Sequence, residues 1–241
     1  MSANHLRLDI EGAARGYRGS LAGAPGVQIR LLPSSEIAAA TAAGRLHLAV
    51  VGEDLLREQG ESVNRRVRFI HPLGIGRASL VVAAPRSWID VDSLRDLRQV
   101  AAIHRRDTGR SLRVATKYPV QAAKFFAQCG LVDYAMVTST GATEAAPAND
   151  EADFIVDITT TGATLRANKL KVLSDGIILE SQFHLVAGLT ADWSPETLRL
   201  AAWFVEAVVP PTAADCPTTM PLTSVRDLAA TWREAVSAGA R

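Results

Sequence analysis

The chain has 241 residues, 48% of them apolar and 21% charged, with a formal net charge of +1. This is ordinary for a globular protein with one large core or two small ones, and scattered arginines with no basic run between aromatics exclude a nucleic-acid footprint. Cys129 and Cys216 show no metal spacing, and two lone thiols suit a reducing compartment better than a disulfide framework.

The first twenty residues carry Arg7, Asp9, Glu11, Arg15 and Arg18, a pattern that excludes a secretory leader. The apolar runs LHLAVVG and SLVVAAP are too short to cross a bilayer, so a cytoplasmic protein with no membrane partner is expected. SSEIAAATAAG predicts a helix capped by Ser34 and Ser35 and stopped at Gly44. RLHLAVVG (45–52) and ASLVVAAP (78–85) predict strands. The polar stretch around RRDTGRS (105–111) is the nearest thing to a linker. SLRVATKYP (111–119) predicts a strand. PVQAAKFFAQCG then predicts a helix led by Pro119 and ended by Gly130. DYAMVTST (133–140) and ADFIVDIT (152–159) are further strands, and DGIILESQFHLVAG (175–188) is one long strand or two. In the tail, Ser194 and Pro195 start a helix with Leu198, Ala201, Ala202, Val205 and Val208 on one face. Ser224 starts another, with Val225, Leu228, Trp232 and Val236 in register. Continuous apolar strands alternating with helices predict an α/β fold with mainly parallel sheets. In such sheets ligands bind at the carboxyl ends of strands.

One strand end stands out. In DFIVDITTTGATL (153–165) Asp153 and Asp157 fall on one face of an extended strand, about 13 Å apart at roughly 3.3 Å per residue. Threonines and a glycine follow. A tight turn there brings backbone N–H groups together, and threonine hydroxyls add donors for an anion. Carboxylates beside a phosphate need another partner, either ribose hydroxyls or a magnesium ion. Together these describe a ribose 5-phosphate pocket. The plainer account is that Asp153 starts a strand and TTTG caps a helix. TSTGATEAAP (138–147) echoes the turn 21 residues earlier, either as a second wall of the same site or by chance in an Ala- and Thr-rich chain. No GxxxxGK phosphate loop and no GxSxG elbow occurs.

GEDLL (52–56), LGIGRASLVVAAP (73–85), ATKYP (115–119), GATEAAP (141–147) and DFIVDITTTGATLRAN (153–168) occur in this order. In these five motifs, and over about residues 15 to 187, the chain resembles the catalytic subunit of ATP phosphoribosyltransferase. It is most similar to the short form, which works with a histidyl-tRNA-synthetase-like regulatory subunit. The resemblance implies two lobes like a type II periplasmic binding protein with a central cleft. Residues 1–84 and 175–241 would form lobe I, and 85–174 lobe II. It implies attack of the adenine N1 of ATP on C1 of phosphoribosyl pyrophosphate, the first step of histidine biosynthesis, with Mg2+ carried by the pyrophosphate and a homo- or hetero-oligomeric assembly. Thr160, Thr161, Gly162, Ala163 and Thr164 would hold the 5-phosphate, and Asp153 and Asp157 the ribose hydroxyls. Glu144, Lys117 and Tyr118 would lie beside the substrates, with Arg15 or Arg18 as a cleft arginine. Charge stabilisation of an oxocarbenium-like state would dominate, without a covalent intermediate.

The sequence departs from that family in three places. The family's opening strand and Lys-Gly-Arg-Leu are absent, about two dozen residues in all. Pro33 stands where some members have an arginine, and His47 where an aspartate is usual. A start site upstream of Met1 is the favoured account, because the other motifs are intact. A weakened or inactive binding module for a phosphorylated ligand is the alternative, and a second chain supplying the basic groups is a third. His5, His71, His104 and His184 show no ligand spacing and are expected to be structural or solvated. Trp193, Trp203 and Trp232 are expected in the core or at a subunit contact.

Overall fold

The computed structural model describes residues 18–24, 26–139 and 141–209, together with the backbone of 8–10. The predicted helix from Ser224 to Val236 and the candidate Arg15 lie outside the described residues. In chain order the elements are β1 (Leu8–Ile10), β2 (Arg18–Leu21), β3 (Gln28–Arg30), α1 (Ser34–Ala42), β4 (Leu48–Gly52), α2 (Glu53–Arg57), α3 (Val63–Arg66) and β5 (Val67–Pro72). Then come β6 (Ala78–Pro85), α4 (Leu94–Thr108), β7 (Leu112–Thr116), α5 (Pro119–Cys129), β8 (Tyr134–Thr138), a 3-10 turn (Thr143–Ala145), β9 (Phe154–Thr159), α6 (Ala163–Ala167), β10 (Leu170–Ser181), β11 (Phe183–Gly188) and α7 (Pro195–Val208). No helix among the described residues is long and apolar enough to cross a membrane.

The chain divides into two compact units. The first holds Met1–Leu56, Glu61–Leu73 and His184–Arg241, and the second Arg57–Gly60 and Gly74–Phe183. These boundaries differ from those expected at 84/85 and 174/175. The reason is pairing: β6 bonds to β10 on one side and to β9 on the other, so all three belong to one sheet. The stretch 175–188 is two strands, β10 and β11, and the chain changes unit between them.

In the first unit β1, β2 and β3 form an antiparallel sheet, and β4, β11 and β5 form a second in that order. Ala38, Val51, Leu56, Val63, Val67 and Val186 make one buried cluster. Ile70, Leu185, Ala187 and Val205 make another, with Trp193 and Phe204 packed against it. Helix α7 starts as the sequence predicts, through a capping box between Ser194 and Thr197. Its core side runs through Phe204 and Val205, while Val208 is 38% exposed rather than buried. Helix α1 starts at Ser34 after Pro33, and neither expected serine supplies a side-chain cap.

The second unit has one five-stranded sheet in the order β10-β6-β9-β7-β8. β7 runs parallel to β8 and β9, while β6 runs antiparallel to β9 and β10. With the antiparallel β11–β5 pair added, the sheets are mixed, not mainly parallel as expected. The α/β class itself holds. Apolar strands alone do not reveal direction, because a strand covered on both faces is uniformly apolar whichever way it runs. The stretch expected as a linker instead completes α4. That helix opens on a Ser93–Asp96 capping box and closes at Gly109 with φ +70°. The Ser93 hydroxyl, then the Asp92 amide, hold the Asp96 carboxyl below its ordinary range. Helix α5 has Pro119 at its first turn and Gly130 at φ +70° behind it, as predicted. Its first amides are capped from far away: Val120 and Gln121 donate to the Glu58 carboxylate at 2.8 and 3.2 Å.

Candidate substrate-binding site

Three parallel strands end together in the second unit. In register, Thr116 of β7 lies beside Thr138 of β8 and Val156 of β9. One step beyond are Lys117, Ser139 and Asp157. The 3-10 turn with Glu144 follows β8, and the threonine loop follows β9. Residues far apart in sequence therefore meet at one sheet end, as the strand-end rule requires. The opposing register Val81↔Asp157 puts Asp157 on the face of Val81, Ala115 and Ile155, which form a buried cluster with Leu165.

Asp157 is half-buried, and its Oδ1 accepts the Ile158 amide at 2.8 Å. Burial pushes its carboxyl above the ordinary aspartate range, and the nearby Glu144 adds to the rise. The Ile158 amide and the Lys117 ammonium act the other way. Two carboxylates and one ammonium thus share this strand end, with Lys117 exposed and Glu144 half-buried.

The loop after β9 is shaped by its own threonines. Gly162 stands at φ +68°, a conformation that suits glycine. Its amide donates to the Thr159 hydroxyl at 3.0 Å, and the Ala163 amide donates to the Thr161 hydroxyl at 3.3 Å. Two amides of the expected cradle are thus used within the loop. Those of Thr160, Thr161 and Thr164 have no hydrogen-bond partner among the described residues. A hydroxyl that accepts from an amide keeps its own O–H to donate, so Thr159 and Thr161 remain able to serve an anion. Thr160, Thr161 and Thr164 are exposed. Arg166, in α6, turns back so that its guanidinium donates to the Thr161 carbonyl at 3.0 Å. This cation at the loop was not among the sequence candidates. Its only signal is a spacing of four residues from Gly162 at the start of a helix.

Of the other expected site residues, Asp153 lies at a different strand end and Tyr118, next to Lys117, is buried. Asp153 lies at the other end of β9, where the Arg113 amide donates to its Oδ2 at 2.6 Å and the guanidinium reaches its Oδ1 at 3.2 Å. Arg113 also pairs with Asp150 at 2.8 Å. Facing the same side as Asp157 does not bring Asp153 to the same strand end, and its carboxylate is engaged by that arginine. Tyr118 is 6% exposed, and its amide donates to the Thr116 hydroxyl at 2.8 Å, so its ring is part of the packing. Arg18, in the first unit, is exposed at the start of β2. His47 is structural: its Nε2 lies 2.9 Å from the Asp192 carbonyl, and its ring stands edge-on to Trp193.

Comparison with known proteins agrees on one family. A family model described as ATP phosphoribosyltransferase (HisG) matches residues 33–201. An ATP phosphoribosyltransferase of Caulobacter vibrioides (strain NA1000 / CB15N) is 55% identical over 193 residues, 80% of this chain and 60% of the relative. One from Rhodopseudomonas palustris (strain HaA2) is 51% identical over 203 residues, 84% of this chain and 62% of the relative. The chain thus spans about 60% of the length of these curated relatives. Among solved structures, a chain of the ATP phosphoribosyl transferase (HisG:HisZ) complex from Thermotoga maritima superposes with a TM-score of 0.61 at 19% identity, covering 84% of this chain and 85% of that one. That likeness establishes a shared fold, and the family match over residues 33–201 goes further: this chain belongs to the ATP phosphoribosyltransferase family.

Proposed function

We propose that this chain carries the phosphoribosyl-binding part of an ATP phosphoribosyltransferase. The observation that carries this reading is the meeting of Asp157, Glu144, Lys117 and the Thr160–Thr164 loop at one strand end. The 5-phosphate of phosphoribosyl pyrophosphate would lie at the loop, held by the amides of Thr160, Thr161 and Thr164 and by threonine hydroxyls, with Gly162 and Ala163 shaping the turn. Arg166 adds a positive charge there. Asp157 would accept from the ribose hydroxyls. Asp153 is left out of that role by its Arg113 pairing.

The reaction joins N1 of ATP's adenine to C1 of the ribose as the C1–O bond to pyrophosphate breaks. Positive charge would grow on the ribose ring, and the carboxylates of Asp157 and Glu144 would stabilise it. Lys117 balances those two acids and favours the ionised form of Asp157. Magnesium would arrive with the pyrophosphate as part of the substrate. Carboxylate oxygens are the donors such a hard cation prefers, and when bound it eases departure of the leaving group. A histidyl-tRNA-synthetase-like regulatory chain, an oligomeric assembly and a cytoplasmic setting complete the proposal. The first of these is supported by the Thermotoga maritima relative's description as a HisG:HisZ complex.

The test combines the chain with ATP, magnesium, phosphoribosyl pyrophosphate and the regulatory chain, and follows phosphoribosyl-ATP by its absorbance. Product formation is expected. Binding of phosphoribosyl pyrophosphate without turnover would leave the binding-module reading in its place, and the absence of binding would overturn both.

A further inference from the structure

Helix α5 begins beside the candidate site. Lys117 follows the last residue of β7, Thr116, and the helix starts two residues later at Pro119. Its first turn does not satisfy itself. The N-cap position belongs to Tyr118, whose side chain makes no capping hydrogen bond, and Pro119 has no N–H to give. The first amide bonded within the helix is that of Ala122, which donates to the Tyr118 carbonyl at 3.0 Å. Between them stand the amides of Val120 and Gln121, the two donors that an N-cap side chain ordinarily serves.

Glu58 takes both. Val120 donates to its Oε1 at 2.8 Å and Gln121 to its Oε2 at 3.2 Å, and the Gln121 side-chain Nε2 lies 3.5 Å from Oε2. Each carboxylate oxygen has its own amide. Burial raises the Glu58 carboxyl above the ordinary glutamate range, and these hydrogen bonds oppose the rise. Glu58 lies in Arg57–Gly60, a short segment that belongs to the second unit although its neighbours in sequence belong to the first. The residue that this grip holds in place ahead of the helix is Lys117. Its backbone runs between two fixed points: the Thr116 hydroxyl, which accepts the Tyr118 amide at 2.8 Å, and the turn that Glu58 holds. In register Lys117 stands beside Asp157, and with Glu144 it is one of the two charged groups that act on that acid.

We propose that Glu58 is a positioning residue for Lys117: by holding the first turn of α5 it keeps that ammonium at the strand end beside Asp157. The proposal rests on the reading of this strand end as the phosphoribosyl-binding site. A carboxylate suits the task because two amides and a side-chain N–H converge on it, and only a group with two acceptor oxygens serves them all. Glu58→Gln keeps the shape of the side chain but sets an NH2 group against donors, so one of the two grips on the turn is lost.

NMR titration of the Asp157 carboxyl in the ligand-free full chain tests this. Lys117→Ala is expected to raise the Asp157 pKa, because it removes a cause that lowers it. Glu58→Gln is expected to raise it as well, and the double variant to go no higher than Lys117→Ala alone. Losing the negative charge of Glu58 would by itself lower that pKa, so a rise reports the lysine. Ser93→Ala, which removes the cap of α4, is the control: it should cost a similar Tm loss of about 2–4 °C and leave Asp157 unmoved. In Glu58→Gln the acid limb of phosphoribosyl pyrophosphate binding, followed by calorimetry, should move to higher pH. An Asp157 pKa unmoved or lowered by Glu58→Gln, a further rise in the double variant, an equal rise in Ser93→Ala, or a binding limb that stays in place would each overturn the proposal. A parent chain that does not bind phosphoribosyl pyrophosphate would instead overturn the site reading beneath it, a result seen separately from the Asp157 titration.

Discussion

The two ends of β9 carry the same residue type four positions apart, in opposite circumstances. Asp153 is bonded to the Arg113 amide and guanidinium, and Arg113 is tied in turn to Asp150. Its charge is answered inside the protein. Asp157 is pushed up by burial and by Glu144, and receives one hydrogen bond from its own neighbour. A paired carboxylate contributes to the fold. A half-buried one held near a second acid is destabilising by itself, and such groups gather where a ligand completes the arrangement. The pair shows that chemistry must be assigned by strand end as well as by strand face.

The largest expected effect is at Asp157. Asp157→Asn should weaken phosphoribosyl pyrophosphate binding about 10- to 100-fold, the usual contribution of hydrogen bonds to a charged group, measured by calorimetric titration. Its stability should change in the other direction. The folded pKa of Asp157 lies above the unfolded one, so the native state holds the proton more tightly. Stability is therefore lost as pH rises from the unfolded to the folded pKa, and the deficit persists at neutral pH. Removing the charge should leave Tm at pH 7 unchanged or raised, with no gain below about pH 3.9, where the unfolded aspartate is also protonated. A fall in Tm together with unchanged affinity would reverse the roles assigned to the two acids.

A smaller effect concerns acidity. Binding that needs ionised Asp157 fails as pH falls through its raised pKa. Lys117→Ala removes a cause that lowers that pKa and should move the acid limb of binding to higher pH. Glu144→Gln removes a cause that raises it and should move the limb lower. Shifts of the same sign in both variants would show that another group titrates.

The smallest effect belongs to the other end of the strand. Asp153→Asn loosens a partly exposed ion pair and should lower stability by about 1 kcal/mol, or Tm by about 2–4 °C for a chain of this size, with affinity unchanged. A tenfold loss of affinity would return Asp153 to the site.

Much of this arrangement is visible in the residues themselves. The apolar runs of β6, β7, β8 and β9 mark the strands within a few positions. Pro119, Gly130 and Ser194 bound their helices as local chemistry demands, because a cap depends on residues three or four apart. The threonine loop is also local, and its hydroxyls and glycine announce a turn. What local chemistry does not reveal is partnership across long stretches. Asp153 meets Arg113 from 40 positions away, and Glu58 reaches Val120 from 62. Neither pairing leaves a periodic trace. Strand partnership is equally silent, which is why β6, bonded to β9 and β10, is expected from sequence alone with the first unit. The end of α4 reads as a linker because Arg105, Arg106, Asp107 and Thr108 are polar, although Ser93, Asp96 and Gly109 bracket a helix.

The order of the strands along the chain has a consequence for synthesis on the ribosome. Every strand of the five-stranded sheet lies between Ala78 and Ser181, and so does the helix that Glu58 caps. The other large sheet has β11 as its middle strand, so β4 and β5 cannot join until Phe183–Gly188 has emerged. Nascent chains should therefore complete the β1–β3 sheet and the five-stranded sheet before the sheet of β4, β11 and β5, with β4 and β5 waiting longest for their shared partner. A fragment cut at Gly74 would keep the whole sheet yet leave the start of α5 bare, because its cap was translated earlier.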